Sequence, residues 1–520
     1  MDFVGTIYSL IPPLVMIILV LLTRKVLISL GVGIIVGALM IESFDAVNTA
    51  KTVWLSFQEI FYSGGEWGVW SIQLIAFLLL LGILIAFLTA TGGAKAFGNW
   101  AINRVKTREG SQYTAGLSGL AIFIDDYFNS LTIGQVSRPI TDRHKVSRAK
   151  LAYLIDSTSA PVTVLTPISS WGAYIIGTIG GIIATDKLQE QLSGFSAFNT
   201  FIGTIPMNYY AIAAIILVFL VIKMRLDFGS MREHEVRAQD TGELIDPLNS
   251  DVPGDLQDDV HENNNGRIYH LIIPILVLVV ATVTSMIVTG VQATEGEVTA
   301  VSIFANTNVN YSLVLGGVLS VLTGMLFYLI QSGEKTNFFR VIWEGIKAML
   351  PAIYILVLAW MIVSIIDGIG TGTYLAEAVK SWNISIAYLP LIIFIISGLM
   401  AFATGTSWGT FGMMLPIAGE IAALIDPDFF VASLAAVLAG SVFGDHCSPI
   451  SDTSVLSSTG AGSNHIDHVL TQIPYALLAA LASIFGYLLF ALTSSMLVGL
   501  LVTIGVLVLL AYLIKSRLPN

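Results

Sequence analysis

Residues 440–459 read Gly-Ser-Val-Phe-Gly-Asp-His-Cys-Ser-Pro-Ile-Ser-Asp-Thr-Ser-Val-Leu-Ser-Ser-Thr, and they lie inside a long apolar segment that begins near Phe429. The stretch carries Asp445, His446, Asp452, Pro449 and a run of hydroxyls. A carboxylate at bilayer depth costs about 2.5–3.5 kcal/mol even on the mildest insertion scale, so its presence there calls for a reason. A plain loop is a poor one, because the other half of the chain holds a near-copy. There Asp156-Ser157-Thr158-Ser159-Ala160-Pro161 separates the apolar stretches 151–155 and 162–184.

In both copies an acidic residue, small hydroxyls and a proline fall within a few residues of one another inside apolar sequence. Proline removes a backbone donor and frees a carbonyl that then needs a cation, a water or a side chain. Two such interruptions in matching halves point to an ion or solute site near the membrane midplane.

Composition sets the class. Of 520 residues, 55% are hydrophobic and only 11% charged, and the mean hydropathy is +0.82, which marks an all-α polytopic membrane protein. A single cysteine, Cys447, excludes an internal disulfide framework. The formal charge of -11 arises largely in one hydrophilic stretch and suggests no acidic binding surface. The first apolar run is followed, rather than preceded, by Arg24 and Lys25, the wrong order for a cleaved signal peptide, so a retained first span is expected.

With about 20 residues per crossing, spans are expected over 7–22, 26–41, 69–90, 151–184 (broken), 207–224, 268–291, 311–330, 349–366, 429–459 (broken), 469–492 and 496–514. Two apolar segments are ambiguous. One is 113–136, interrupted by Asp125-Asp126; the other is 385–425, interrupted by Thr404-Gly405-Thr406-Ser407-Trp408-Gly409. Short basic loops stay cytoplasmic. The clusters Arg104/Lys106/Arg108 and Arg138/Arg143/Lys145/Arg148/Lys150 share one face only if the segment between them is a re-entrant hairpin. The same parity makes 385–425 a second hairpin, entered from outside. The N-terminus and the loops 42–66 and 295–310 then lie outside, while the C-terminus and the stretch 225–267 lie in the cytoplasm.

Weak matches run in the same order through both halves: Ser118-Gly119-Leu120 with Ser397-Gly398-Leu399, Thr91-Gly92 and Ala96 with Thr371-Gly372 and Ala376, Pro161 with Pro449, and Ile205-Pro206 with Ile473-Pro474. An odd number of spans per copy inverts the second copy in the membrane. The expected organisation is a first repeat over 1–224, a hydrophilic, mobile linker over 225–267, an inverted second repeat over 268–495, and an extra helix and tail over 496–520. The linker carries Asp240, Glu243, Asp246, Asp251, Asp255, Asp258, Asp259 and Glu262. No glycine-rich phosphate loop ending in Lys-Ser/Thr occurs anywhere, which argues against ATP as energy source.

Four polar clusters hold the candidate site: Asp125, Asp126 and Asn129; Asp156, Ser157, Thr158 and Ser159; Thr404, Thr406 and Ser407; and Asp445, His446, Ser448 and Asp452. Carboxylate, hydroxyl, amide and freed carbonyl oxygens are the hard ligands a sodium ion takes. Asp156 and Asp445 are the expected metal ligands. A carboxylate that holds either a proton or a metal ion is the simplest machine for antiport. His446 reads equally as a structural side chain or a proton carrier, and Thr404, Thr406 and Ser407 could do no more than close a hairpin tip. Asp125 and Asp126 are adjacent, so one is expected to face the site and the other a structural partner.

Two catalytic look-alikes fail on context. Gly405-Thr406-Ser407-Trp408-Gly409 fits the hydrolase nucleophile elbow, but that motif needs a preceding strand and an α/β sheet. The paired aspartates suggest an intramembrane protease, yet Val442 stands where that class shows glycine.

The runs Phe443-Gly444-Asp445-His446-Cys447-Ser448-Pro449-Ile450-Ser451-Asp452-Thr453 and Gly405-Thr406-Ser407-Trp408-Gly409-Thr410, with Asp156–Pro161 and Asp125-Asp126, resemble the NhaC-type sodium/proton antiporter family. The resemblance covers most of the transmembrane chain. It implies an inner-membrane carrier in which two re-entrant hairpins and two unwound helices frame the site. The expected activity is secondary-active exchange of Na+ against H+ by alternating access, with no cofactor and no nucleic-acid partner. The alternative is Na+- or H+-coupled movement of a small organic anion or amino acid. A channel is a third class, disfavoured by broken-helix repeats. The expected partners are Na+, H+ and the lipid bilayer, with a small organic solute under the alternative and a homodimer as a candidate assembly.

Overall fold

The computed structural model of the chain describes residues 3–518 apart from 24, 102–103, 124, 168, 186–187, 189, 250–259, 261–262, 295, 334, 372–373 and 375–385. Arg24, the linker acids Asp251, Asp255, Asp258, Asp259 and Glu262, and the repeat residues Gly372 and Ala376 therefore lie outside the described residues.

Helix dominates. In chain order the α-helices are α1 (Ile11–Thr23), α2 (Val26–Ile41), α3 (Ala46–Phe61), α4 (Val69–Ala90), α5 (Gly93–Ala101), α6 (Arg108–Ala121), α7 (Asp126–Arg143), α8 (Arg148–Leu165), α9 (Ser170–Ile183), α10 (Ala197–Thr204), α11 (Tyr209–Met224) and α12 (Ser230–Asp240). They continue as α13 (Tyr269–Ala293), α14 (Ala300–Ala305), α15 (Val309–Ile330), α16 (Phe338–Gly368), α17 (Leu389–Thr404), α18 (Ser407–Ile425), α19 (Phe430–Cys447), α20 (Asp452–Ala461), α21 (His465–Thr493) and α22 (Met496–Arg517). Sheet is confined, among the described residues, to the pairing of Tyr62–Ser63 with Glu66–Trp67.

Among the described residues nine helices are long and apolar enough to cross a membrane, or up to eleven if each of two bent pairs is one span. The bent pairs are α8 with α9, at 40°, and Ala197–Met207 with α11, at 48°. The protein is thus an integral membrane protein. The membership of this set differs from the sequence expectation: it contains α17 and α18, expected as one hairpin, while α1 and α2 fall short of the length.

Two hydrophobic clusters form the core. One gathers α8, α11, α17, α18, α19 and α21; the other gathers α2, α4, α13, α15 and α16, with residues of α7 and α20 between them. Packing comes in exchanged pairs. As α6 and α7 pack on α8, so α17 and α18 pack on α19; as α7 packs on α20, so α18 packs on α9; as α2 packs on α16, so α15 packs on α4.

Three features position the interior. Gly405 turns α17 into α18 at φ +68°, and a Cβ there would fall 2.4 Å from Ile450 Cγ1, so only glycine lets this turn rest against the α19–α20 break. Where α7 crosses α20, a Cβ on Gly134 would fall 2.3 Å from the Gly460 backbone, so the two helices meet main chain to main chain. Lastly, Arg108 at the start of α6 and Lys150 beyond the end of α7 both reach Glu235 of α12, so the α6–α7 pair begins and ends beside the same helix.

Two expectations need correction. The first-half interruption does not lie at Asp156–Pro161: α8 runs unbroken through it to Leu165, with Pro161 inside the helix, and it ends just before Pro167, ahead of α9 at Ser170. Along the rest of α8 hydroxyls bond back to the helix, Thr158 to the Leu154 carbonyl and Thr163 to the Ser159 carbonyl, and Thr166 marks the end by bonding the Val162 carbonyl. The second correction concerns the stretch 225–267. Its first part is not mobile, because α12 buries Met231, His234, Glu235 and Ala238 against the helices. Lys150, fully buried, lies 2.5 Å from Asp227 and 3.4 Å from Glu235. Burial would raise the Glu235 carboxyl, but Lys150 and Arg108 together with the Ser147 backbone N–H hold it below its ordinary range.

Candidate functional site

The first turns of α7, α9, α18 and α20 converge. Asp126, Ser170, Thr406 and Asp452, each at or beside the start of one of these helices, line one cavity of about 380 Å³. A helix N-terminus carries unsatisfied N–H groups and a partial positive charge, which favours acids in its first turn. That explains Asp126 and Asp452 as first helical residues. Side chains cap three of the four ends: Asp125 accepts from Phe128 N at 3.0 Å, Ser169 from Gly172 N at 2.9 Å and Ser451 from Ser454 N at 3.1 Å. Thr406, at the fourth, makes no such bond.

Of the five carboxylates of the sequence reading, Asp125, Asp126, Asp156 and Asp445 are buried and Asp452 is half-buried. Asp125 is fully engaged, since its second oxygen accepts from Ser170 at 2.8 Å. Asp126 accepts from the Trp171 indole N–H at 2.9 Å, and its Oδ2 has no partner. Asp452 accepts from the Tyr127 hydroxyl and from Thr453 N. Asp445 accepts from Ser407 and Thr453, each at 3.1 Å, through Oδ2, and its Oδ1 has no partner. Adjacent Asp125 and Asp126 thus differ in their partners, although both line the cavity: both oxygens of Asp125 accept hydrogen bonds, and one oxygen of Asp126 has none.

Asp156 stands apart. Its Oδ2 accepts from Gln472 at 2.5 Å, Ser454 at 2.9 Å and His468 Nε2 at 3.1 Å, and its Oδ1 from Ser457 at 3.0 Å. Every one of these donors belongs to α20 or α21, so a carboxylate of the first half is held wholly by the second.

The other expected residues serve the frame. Asn129 donates to the carbonyls of Gly119 at 2.7 Å and Ile122 at 2.6 Å, closing α6 onto α7, and leaves its own Oδ1 without a partner. Ser159 donates to the Asp126 carbonyl, Thr158 and Thr404 bond back to their own helices, and Ser157 is buried on α8. His446 meets the Tyr210 hydroxyl at 3.0 Å through Nδ1, and Ser448 donates to the Phe402 carbonyl. The structure brings Asp125, Asp126, Thr406 and Asp452 to the cavity and sets Asp445 and Asp156 behind it; Thr404 is not among the residues that line it.

Sequence reading missed Ser170, Trp171, Ser457, His468 and Gln472, while Tyr127 and Ser454 fall inside the polar runs it singled out. Two signals could have found most of them. Thr166-Pro167-Ile168-Ser169-Ser170 parallels Ser448-Pro449-Ile450-Ser451-Asp452 more closely than the Pro161 match does, and both serines before the last position cap the helix that follows. His465, His468 and Gln472 also recur at helical spacing, one polar stripe on an otherwise apolar helix.

Comparison with known proteins adds the family. The model of the Na+/H+ antiporter family matches residues 162–492, which includes the second-half break, α17 and α18, and the α21 donors. The chain belongs to the Na+/H+ antiporter family. An uncharacterized protein of Haemophilus influenzae is 44% identical over 520 residues, 99% of this chain and 97% of its own length. Two shorter matches carry functional names: an uncharacterized Na(+)/H(+) antiporter of Haemophilus influenzae, 33% identical over 26% of this chain and 30% of its own, and the malate-2H(+)/Na(+)-lactate antiporter of Bacillus subtilis, 37% identical over 18% and 21%.

Family membership makes this chain a transporter of the cation/proton antiporter kind. The cavity's other wall is apolar, from Trp70 of α4 and Ala359, Trp360 and Val363 of α16. Among the described residues one trio of ligand-type side chains, His234, Asp246 and Asp467, comes within 4.8 Å, and it lies outside the site. Arg237 lies among them, 2.9 Å from His234 and 3.5 Å from Asp246, so a guanidinium already supplies the positive charge there.

Proposed function

We propose that this protein is a secondary-active sodium/proton antiporter working by alternating access, in which Na+ and H+ compete for Asp126 and Asp445 in the membrane interior. The observation that carries the reading is the pair of unpartnered buried oxygens, Asp126 Oδ2 and Asp445 Oδ1. A buried carboxylate oxygen without a donor is costly, and a metal ion or a proton removes the cost. Asp156, with four donors, leaves neither oxygen without a partner. It acts as the joint between the halves, and Asp126 replaces it beside Asp445 as the exchanging group.

The exchanged packing of the two halves and the paired Thr/Ser-Pro-Ile-Ser segments support inverted repeats with domains near the expected bounds. The meeting of Arg108 and Lys150 on Glu235 supports a re-entrant α6–α7 hairpin. The gathering of Arg108, Arg225, Arg232 and Lys515 around one polar cavity supports a common cytoplasmic face for their segments. In that orientation the site cavity reaches Trp70 and Asn310, at the outer ends of α4 and α15, which supports an outward-facing site. Ions would exchange there, and the inner route would open as the two hydrophobic clusters shift against each other.

The test is transport. In proteoliposomes carrying the purified protein, an imposed Na+ gradient should drive proton movement with no organic solute added. Movement that requires an added solute would contradict a plain cation exchange.

A further inference from the structure

The cavity beside the exchanging carboxylates is built for more than a metal ion. Its volume of about 380 Å³ falls in the range of small-molecule sites, about 300–1,000 Å³. A sodium ion that keeps a water or two needs a small part of that, at about 30 Å³ per water. The walls are also wrong for a shell of water, since three indoles, Trp70, Trp360 and Trp408, stand on them, with the Trp70 and Trp360 rings 5.5 Å apart.

The charged groups have one sign. Asp125, Asp126 and Asp452 line the cavity, and no Lys, Arg or His is among its described lining residues. Asp125 and Asp452 have their oxygens occupied, whereas Asp126, 1% exposed, offers Oδ2 without a donor. Indole rings attract cations, best where water is excluded. An organic anion meets three carboxylates and no cationic side chain; an ammonium group on an apolar stem meets a free carboxylate oxygen and aromatic walls together. The Trp360 indole N–H, buried and without a partner, and the uncapped start of α18 offer donors to a second, electron-rich end of such a molecule.

We propose that this cavity binds a small organic ammonium ion, its charged head on Asp126 and its stem between Trp70, Trp360 and Trp408. The inference rests on the reading of Asp126 as an exchanging carboxylate. It assigns the solute a positive head, unlike the malate and lactate in the name of the Bacillus relative.

Equilibrium binding to the full-length protein in lipid nanodiscs tests it, by calorimetry with n-butylammonium, tetramethylammonium, L-leucine, lactate, malate and, as the uncharged control, n-butanol. The expected result is saturable binding of at least one ammonium-bearing probe and none of lactate, malate or butanol. Leucine binding in preference to butylammonium would support a zwitterion with its carboxylate at the α18 start; the reverse would support a simple amine. Trp360→Ala should weaken that binding about tenfold, the loss of one indole–cation contact, and Trp360→Phe should restore much of it. Asp126→Asn should abolish it while keeping the melting transition of the wild type, which checks its fold. No ammonium binding, or lactate or malate binding in its place, would overturn the proposal. Solute-free Na+/H+ exchange in proteoliposomes is read separately: exchange without ammonium binding sinks this inference alone, and ammonium binding without exchange sinks the antiport reading.

Discussion

Gln472 of α21 donates to Asp156 of α8 at 2.5 Å, across 316 residues of chain. The bond, with those of His468, Ser454 and Ser457, ties the first half of the protein to the second at a fully buried carboxylate. Buried hydrogen bonds to a charged group contribute about 1.5–3 kcal/mol each. Gln472→Ala should therefore lower thermal stability in detergent measurably. Asp156→Ala, which strips the partner from four donors at once, should do so by more. Equal melting of wild type and Asp156→Ala would remove Asp156 from the joint.

Glu235 gives a pH dependence with a definite sign. Its carboxyl is held below the ordinary range, so the stability it lends to the α12 contact is fully present above the unfolded value, about 4.3, and is lost as pH falls through the lower folded value. Hydrogen exchange of Ser230–Asp240 should be slow near neutrality and speed up in acid. In Glu235→Gln, which leaves the buried Lys150 with a weaker set of partners, it should be fast at both. Protection that is the same in the variant and insensitive to acid would contradict the ion-pair account.

Gly134 sits where α7 and α20 touch through their backbones. Gly134→Ala places a methyl 2.3 Å from Gly460 and should force the helices apart. The expected outcome is a destabilised protein with exchange activity lost, because Asp126 and Asp452 ride on those two helices. An alanine variant with normal melting and normal transport would show that the crossing is looser than the structure has it.

Much of the architecture is legible in the sequence because burial and hydrogen bonding leave few choices. The bounds of α4 follow from an uninterrupted apolar run, and the break around Pro449 follows from a proline among acids and hydroxyls. The first-half break is misread because Pro161 and Pro167 lie six residues apart, and composition does not tell a proline carried within a helix from one that ends it. The α12 contact was hidden for another reason: Lys150, Asp227 and Glu235 look like solvated loop charges until the fold pairs them. In the site, the acids were legible as costly residues in apolar sequence. Their donors were not, because hydroxyls and glutamines in helices usually satisfy themselves locally, and only the fold brings His468 and Gln472 to Asp156.

Exchange at the open oxygens makes its own prediction for variants. Asp445→Asn and Asp126→Asn should each lose Na+-driven proton movement in proteoliposomes while retaining the fold, since amides keep the donors Ser407, Thr453 and Trp171 in place with only the charge removed. Wild-type exchange rates in both variants would exclude these residues from the ion path.

The competition itself is measured most directly by Na+ binding to the purified protein as a function of pH. If a proton and a sodium ion displace each other at Asp126 and Asp445, the apparent Na+ affinity should weaken about tenfold for each unit fall in pH, per proton displaced, below the carboxylate's own titration. The dependence should disappear in Asp126→Asn and Asp445→Asn combined. Sodium binding that is equally tight across the pH range in the wild-type protein would contradict the account.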